Sequence, residues 1–405
     1  MKKLFAFVFG IAFVCASAFA DISFGVGGRG TANLVSVDWS KIEPEHGDSD
    51  ENTETAKAGA YFLSDFNFSA QTEDKKLGFN FDLEFATGAN TLDDENYNIK
   101  DFSIPDQAKV WWQPTEWLLA QIGMIEVDDL RGSVGDWGVG RRDIGSLGED
   151  DIFDRFYPQA GVAVSLYPVE GLFIGATFDT DQVNDYEFAE NFYKGLNVGA
   201  GYTIDDKFQI KFAYFGAQDK AKATESDELE DDDYNGKLEF GFDWALDENN
   251  VLEIGVKVPL WSDEDARKAA ADDAYAFKAV AGFAGANDNL SYKAHAGFVS
   301  LKGIDKDGDL DFYPSIELDG GLEAAFDDFT LGGTVQYAGA FNNLLEKSVN
   351  ANTFGAEVYI KKDIAADCFV FGGIADKFVV VEDKEDTVKT SKNTFYIPVG
   401  IEFAF

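Results

Sequence analysis

Residues 76–88 read KLGFNFDLEFATG. Every second position from Leu77 to Phe85 carries a large apolar side chain, and the positions between them are small or polar. A period of two places one apolar and one polar face on a β-strand. The same alternation recurs along the chain, so the sequence predicts an all-β protein. Other clear examples are residues 208–214, 237–244, 252–258, 316–323 and 354–361.

Short polar turns alternate with long polar segments between these strands. Nine long segments and eight short turns predict about 18 strands, with 16 as the alternative count. Short periplasmic turns at one end and long extracellular loops at the other are typical of a transmembrane antiparallel β-barrel. A large soluble all-β protein is the alternative, because sandwiches also alternate. The long segments include residues 36–56, 89–105, 127–155, 218–234 and 381–392.

Strand length and aromatic placement favour the barrel over the sandwich. Most runs hold about 9–13 residues, close to the ~9–11 residues that a tilted spanning strand needs. Trp112 and Trp117 flank the short turn 114–116, and Trp244 precedes another short turn. Such positions are typical of the aromatic girdle at a membrane interface.

The composition excludes several classes of function. The 405 residues include 33 Lys and Arg against 74 Asp and Glu, a net charge of −41. We expect no nucleic-acid partner, because phosphate binding needs a basic face. Two histidines and two cysteines leave little material for catalysis or for a His/Cys metal site. We therefore expect no enzyme activity, no cofactor and no metal site.

The first 20 residues have the features of a secretory signal peptide. Two lysines precede the apolar stretch 4–14, and Ala-Phe-Ala at 18–20 fits a small-x-small cleavage site. Residues 21–405 are then predicted to form a single transmembrane β-barrel domain. Cys15 leaves a lipoprotein as an alternative, although Val14 is bulkier than the residue that usually precedes a lipidated cysteine.

The last stretch, KNTFYIPVGIEFAF at 392–405, alternates up to its final residue. Here the chain resembles Gram-negative outer-membrane porins, in architecture over residues 21–405 and most specifically in this strand. The resemblance implies residence in the outer membrane of a diderm bacterium, surrounded by outer-membrane lipid. It also implies that Phe403 and Phe405 are the signal to the barrel-assembly machinery. The Pro-Glu-Phe-Gly-Gly motif of enterobacterial general porins is absent, so no subfamily is matched.

The resemblance further implies passive diffusion of ions and small hydrophilic solutes, and a homotrimer is one assembly that it allows. A barrel of this size encloses an aqueous channel, which the polar strand positions would line. Eleven acids against seven bases set a negative average potential in the lumen. The predicted lumen acids are Asp65, Asp82, Glu84, Glu239, Asp243, Glu253, Glu317, Asp319, Glu323, Glu357 and Glu402. The predicted lumen bases are Lys109, Lys211, Lys237, Lys257, Lys278, Lys293 and Lys361.

The third long segment, 127–155, holds four of the six arginines of the chain, interleaved with aspartates. In the porin family the third extracellular loop folds into the barrel and narrows it, and this segment matches by position and length. We therefore predict a pore constriction there, with a solvated surface loop carrying local ion pairs as the alternative. The predicted constriction residues are Arg131, Arg141, Arg142, Arg155, Asp128, Asp129, Asp136 and Asp143.

Three other interpretations stay open at this point. A non-conducting barrel could act as a surface adhesin or a structural protein through its acidic loops. An outer-membrane protease or phospholipase barrel is disfavoured, because those families depend on His or Ser constellations that this chain hardly offers. Residues 305–311, DKDGDLD, resemble the start of a calcium loop, but positions six and twelve are Leu310 and Ile316 instead of Gly and Glu.

Deleting Phe405, or replacing it with a charged residue, should impair insertion into the outer membrane. The last strand both closes the predicted barrel and resembles the assembly signal. The measurement is the yield of heat-modifiable protein in isolated outer membranes. Wild-type yield and mobility in the deletion variant would count against the barrel interpretation itself.

Overall fold

The computed structural model describes residues 21–44, 51–88, 108–131, 134, 152–156, 161–179, 195–205, 207–216, 234–261, 275–304, 307, 309–342, 349–383 and 388–404. Eighteen elements lie in these residues, and all are strands. Within them there is no helix long and apolar enough to cross a membrane.

The first nine strands are β1 (Asp21–Pro44), β2 (Glu51–Gln71), β3 (Leu77–Gly88), β4 (Ala108–Thr115), β5 (Leu118–Met124), β6 (Gly161–Leu166), β7 (Leu172–Asp179), β8 (Leu196–Ile204) and β9 (Phe208–Phe215). The last nine are β10 (Tyr234–Ala245), β11 (Asn250–Trp261), β12 (Tyr275–Ala286), β13 (Leu290–Ile304), β14 (Leu310–Ala325), β15 (Thr330–Phe341), β16 (Val349–Ala365), β17 (Cys368–Asp383) and β18 (Val388–Ala404).

Every strand pairs antiparallel with the next along the chain, and β1 also pairs with β18. The closing register runs from Gly27 opposite Ala404 to Pro44 opposite Val388. The sheet is therefore a closed barrel of 18 antiparallel strands, which confirms the predicted fold class and its first-choice strand count. Closure leaves no row of unpaired backbone groups at a sheet edge.

The eight short turns lie at one end of the barrel, as the sequence predicts. Asp21 pairs with Gln71, next to the first short turn, so the start of β1 lies at this end. Two predicted long loops are much shorter than expected. The segment 36–56 is mostly strand, since β1 continues to Pro44 and β2 begins at Glu51. The segment 381–392 is likewise reduced, because β17 and β18 leave only residues 384–387 between them.

These two corrections have a common physical cause. A polar composition does not prevent strand pairing, because the backbone ladder forms regardless of the side chains. In the extension of β1 and β2 the hydroxyls of Ser40 and Thr53 are hydrogen-bonded across the pair. Between β17 and β18, Lys389 Nζ donates to Glu382 at 2.8 Å. Turn-like polar residues thus extend the strands beyond the apolar band.

The two faces of the sheet differ sharply in character. On β11, Glu253 is fully buried while its neighbour Ile254 is 39% exposed. Lys257 is likewise buried, whereas the residues before and after it in the sequence, Val256 and Val258, are partly exposed. Exposed apolar side chains continue around the barrel, as in Phe240, Val335 and Val358. The apolar face of a closed barrel is the outer one, so the polar face encloses the lumen.

Aromatic side chains mark both borders of the outer apolar band. Beside the short turns lie the exposed Trp112 and Trp117, and Phe326 stacks on Phe329 with ring centroids 4.8 Å apart. Towards the loops, four aromatic side chains and Asn393 form one row of paired residues across five strands, here called the aromatic row: Trp39, Asn393, Phe378, Phe354 and Tyr337. Phe378 lies ten residues beyond Cys368 on β17, which corresponds to about 25 Å for a tilted strand.

Replacing Val335 with Arg should reduce folding into a bilayer. Val335 is 63% exposed on the outer face near the middle of β15, where a lipid-facing Arg costs about 2–4 kcal/mol. The neighbouring Gln336→Arg is the matched control, since it points to the polar face opposite Asp319. The measurement is the folded fraction in liposomes across a urea titration. Equal losses in the two variants would contradict the assigned faces.

A loop on the inner wall as candidate functional site

The segment between β5 and β6 folds back along the polar face of the barrel. Its described parts, residues 125–131, 134 and 152–156, are here called the inner loop. Val127 and Phe156 exchange backbone hydrogen bonds of 2.9 and 3.2 Å, which join the two limbs of the inner loop. From this junction the loop extends over the inner wall formed by β8 to β12.

Apolar side chains dock the inner loop to the wall. Ile125, Val127, Leu130, Phe153 and Phe156 are each at most 5% exposed. They form one buried cluster with wall residues of β6, β7 and β9, namely Ala163, Phe173, Ala213 and Phe215. Burying such side chains contributes about 1.5–3 kcal/mol each relative to exposure, which offsets the entropy lost by ordering the loop.

Glycines on the wall make room for this docking. A Cβ atom at Gly199 would lie 2.7 Å from both Leu130 Cδ1 and Phe156 Cζ, and a Cβ at Gly241 would lie 2.6 Å from Phe153 Cδ2. At Gly255 a Cβ would collide with the carbonyl of Ile152. Larger residues on these polar-face positions would therefore displace the inner loop.

Two buried glutamates of the wall accept hydrogen bonds from the backbone of the inner loop. Val134 N–H donates to Glu253 Oε1 at 2.7 Å, and Asp154 N–H donates to Glu239 Oε2 at 2.9 Å. Both glutamates are fully buried. Carboxylates are strong acceptors for backbone N–H groups, so these bonds position the loop on β10 and β11.

Asp154 supplies the charge that completes this contact. Its two carboxylate oxygens pair with Lys237 and Lys257, which are themselves buried on β10 and β11. Burial opposes ionisation of Asp154, but the two lysine charges outweigh it and hold the pKa below its ordinary value of 3.8. This contribution to docking is present above the ordinary pKa and is lost only as the pH falls through the lowered one.

The inner loop descends towards the short-turn end of the barrel. Asp129 Oδ1 accepts a hydrogen bond of 2.9 Å from the hydroxyl of Tyr167. Tyr167 lies beside the short turn, since its N–H donates to the carbonyl of Trp117. Burial raises the pKa of Asp129, and the hydrogen bond from Tyr167 opposes that shift. Within the inner loop, Arg155 forms an ion pair with Glu126, and its Nε atom lies 3.9 Å from Asp128 Oδ1.

The wall away from the inner loop carries its own polar pairs. Glu323 accepts from Tyr359 at 2.7 Å and from Lys361 at 2.8 Å. The side chains of Glu323 and Lys361 remain 29% and 23% exposed, so water reaches this pair. On β13 and β14, His295 Nδ1 lies 2.9 Å from Asp319 Oδ1 in a buried pair.

The predicted lumen residues fall into two groups. Those on β9 to β12 are buried or half-buried on the wall that the inner loop covers: Lys211, Lys237, Glu239, Asp243, Glu253, Lys257 and Lys278. Outside β9 to β12, Asp82, Lys109, Glu317 and Glu402 are half-buried, and Asp319 and Glu357 are buried. Of these, Lys109 contacts the inner loop, since its Nζ donates to the carbonyl of Glu126 at 3.4 Å. The side chains of Asp65 and Glu84 lie outside the described residues.

Four of the eight predicted constriction residues belong to the inner loop as described. Arg131 and Arg155 are half-buried, whereas Asp128 and Asp129 are exposed at the residue level. Arg141, Arg142, Asp136 and Asp143 lie outside the described residues, as do Phe405 and residues 305, 306 and 308 of the calcium-like stretch. Phe403 lies on the outer face of β18, its ring centroid 6.5 Å from that of Phe62.

Sequence reasoning missed the residues that fix the inner loop. Asp154, Phe153 and Glu126 are not among the residues that the sequence predicts for the constriction. The available signal was the triplet of Ile152, Phe153 and Phe156, an apolar patch within an otherwise charged segment. Among the described residues, no group of three or more His, Cys, Asp or Glu side chains is arranged to hold a metal ion.

Comparisons with known proteins return structural likeness at low identity. No protein-family model and no curated protein matches the chain. A porin triple mutant from Rhodopseudomonas blastica is 13% identical, with 95% of this chain and 100% of that chain covered and a TM-score of 0.41. OpdL from Pseudomonas aeruginosa is 11% identical over 95% and 99%, with a TM-score of 0.48. The outer-membrane protein OmpT from Vibrio cholerae, in a trimer form, is 10% identical over 95% and 99%, with a TM-score of 0.41. All three TM-scores lie below 0.5.

Asp154→Ala should loosen the inner loop while the barrel stays folded. Lys237 and Lys257 would lose their shared carboxylate and keep only Glu239, whose Oε1 lies 3.3 and 3.8 Å away. We therefore expect a loss of about 1–3 kcal/mol of docking free energy. Hydrogen exchange of peptides covering residues 152–156 should accelerate. Asp128→Ala is the matched control, because its carboxylate is 54% exposed and 3.9 Å from Arg155. Equal exchange rates in both variants would contradict the role assigned to Asp154.

Proposed function

We propose that the chain is an outer-membrane porin that allows passive diffusion of ions and small hydrophilic solutes. The solutes cross a water-filled barrel that the segment 127–155 narrows. In this proposal the barrel is surrounded by outer-membrane lipid and is inserted by the barrel-assembly machinery. Three copies of the chain form a homotrimer. No catalytic step is involved.

One observation carries the proposal: the described part of the inner loop packs along one side of the polar face, mainly on β6 to β12. An 18-stranded barrel is too wide for its own side chains to fill. The loop occupies one side of the lumen, while the side chains of Glu323 on β14 and Lys361 on β16, beyond the covered strands, stay partly exposed to water. This arrangement supports a channel that is narrowed and not plugged.

The charges on the two sides of the lumen support a preference for cations. On the covered wall, lysines and acids pair locally, as in Lys211 with Asp243 at 2.5 Å. The neighbouring wall of β14 to β16 carries Glu317, Asp319 and Glu357. A negative potential along that wall concentrates cations in the channel. The arginines at 131–155 act against it locally.

A non-conducting adhesin or structural barrel is the second candidate. The observation in its favour is the length of the β1–β2 and β17–β18 extensions, which carry paired strands beyond the apolar band. Such a rigid projection suits a surface contact. Conductance separates the two candidates directly.

Single-channel recording in planar bilayers tests the proposal. We expect stepwise conductance and, at low salt, a reversal potential showing weak cation preference. The preference should fade towards 1 M salt, where the Debye length is about 3 Å. Replacing Arg141 and Arg142 with Ala should enlarge the cation preference, because two opposing charges leave the constriction.

Lys389→Ala is the matched control for this charge change. Lys389 lies on the outer face of β18, paired with Glu382, so its loss should leave the reversal potential unchanged. Clear anion preference of the wild type would assign control to the arginines and overturn the selectivity argument. Absence of any conductance step would favour the adhesin.

A further inference from the structure

A cavity of about 360 Å³ opens on the outer wall, where β17, β18, β1 and β2 lie side by side. Its floor includes Trp39 and Phe378, which are 43% and 39% exposed. Both belong to the aromatic row that marks the loop-side border of the apolar band. The cavity therefore lies at the depth where lipid headgroups meet the barrel.

The lining of this cavity is divided into an apolar and a polar part. Trp39 is paired across the strands with Asn393 and Glu54, and Asn393 is paired with Phe378. One step further towards the loops, Lys41 is paired with Asn52 and Ser391. Aromatic faces thus lie beside amide, hydroxyl and charged groups, a combination typical of small-molecule sites.

Asn393 supplies an independent sign of a missing partner. Its Oδ1 atom is buried and has no hydrogen-bond partner among the described residues. A buried amide oxygen without a donor costs free energy, so rotation of the Asn393 side chain towards a donor in the cavity is favoured.

The chemistry of the lining favours a sugar over a bare phosphate. One cation, Lys41, and one anion, Glu54, line the cavity together, so the site offers no excess of positive charge. Sugar hydroxyls both donate and accept, which suits Asn52, Ser391 and Asn393. The apolar face of a sugar ring packs on the flat faces of Trp39 and Phe378.

We propose that this cavity binds a sugar unit in the headgroup of an outer-leaflet glycolipid. Solutes in the lumen are separated from it by the barrel wall, so its ligand arrives from the lipid side. The inference rests on the membrane placement given in the proposed function, and it needs no conduction.

Native mass spectrometry of the full chain in mixed micelles tests this site. The probe is a diacylglycerol carrying one glucose, compared with the same diacylglycerol without sugar and with free glucose. We expect adducts with the glycosylated lipid alone, and about tenfold weaker binding in Trp39→Ala and in Asn393→Leu, equivalent to about 1.4 kcal/mol. Trp112→Ala, which removes an exposed tryptophan from the opposite girdle, should bind as the wild type does.

Several outcomes would overturn the proposal. Equal retention of both lipids would reduce the site to a general lipid contact, and equal binding of free glucose would remove the lipid source. Loss of an oligomer in Trp39→Ala with lipid adducts unchanged would assign the cavity to a contact between barrels. Bilayer conductance recorded on the same preparations separates the claims: a conducting channel without sugar-dependent adducts refutes this site alone, and adducts on a non-conducting barrel refute the channel alone.

Discussion

Every backbone N–H and C=O group that faces hydrocarbon must find its hydrogen-bond partner within the protein. In this chain the pairing of β1 with β18 meets that requirement, because it joins the first and last of the described strands, which would otherwise form the sheet edges. The other features of the described structure follow from closure. A closed barrel has one outer and one inner face, and the period-two alternation assigns each side chain to one of them.

Closure on 18 strands creates a second problem, which the inner loop addresses. The lumen is too wide for wall side chains to meet across it. The apolar side chains of the inner loop, centred on Phe153 and Phe156, pack against small residues of the wall. Hydrogen bonds from loop amides to Glu239 and Glu253 fix the register of the loop on the wall. The polar face thus serves as a docking surface as well as a channel lining.

Much of this fold could be predicted from residue patterns because a period of two is a local signal. KLGFNFDLEFATG and the terminal KNTFYIPVGIEFAF each display their faces without any long-range information. The extensions of β1 and β2 could not be predicted, since residues such as Ser40 and Thr53 are equally common in loops and pair only because a partner strand is present. The contact of Asp154 with Lys237 and Lys257 spans about 80–100 residues of sequence and has no local pattern. The sequence predicts that Lys237 and Lys257 face the lumen. It does not predict that Asp154 of the loop is their partner.

The docked loop also changes how lumen charge should be counted. Of the predicted lumen set, three acids and four bases lie on β9 to β12, where Asp154 adds a fourth acid. The loop covers these acids and bases, and they pair with one another. Their opposite charges therefore nearly cancel at any distance from the wall. The rest of the predicted set contains eight acids and three bases. In the proposed channel, β9 to β12 hold four of the seven predicted lumen bases, and the predicted residues on the other strands are more acidic than the whole-barrel count indicates. In the proposed channel the inner loop therefore also determines the sign of the electrostatic potential in the lumen, because the side chains that dock the loop are the ones whose charges it neutralises.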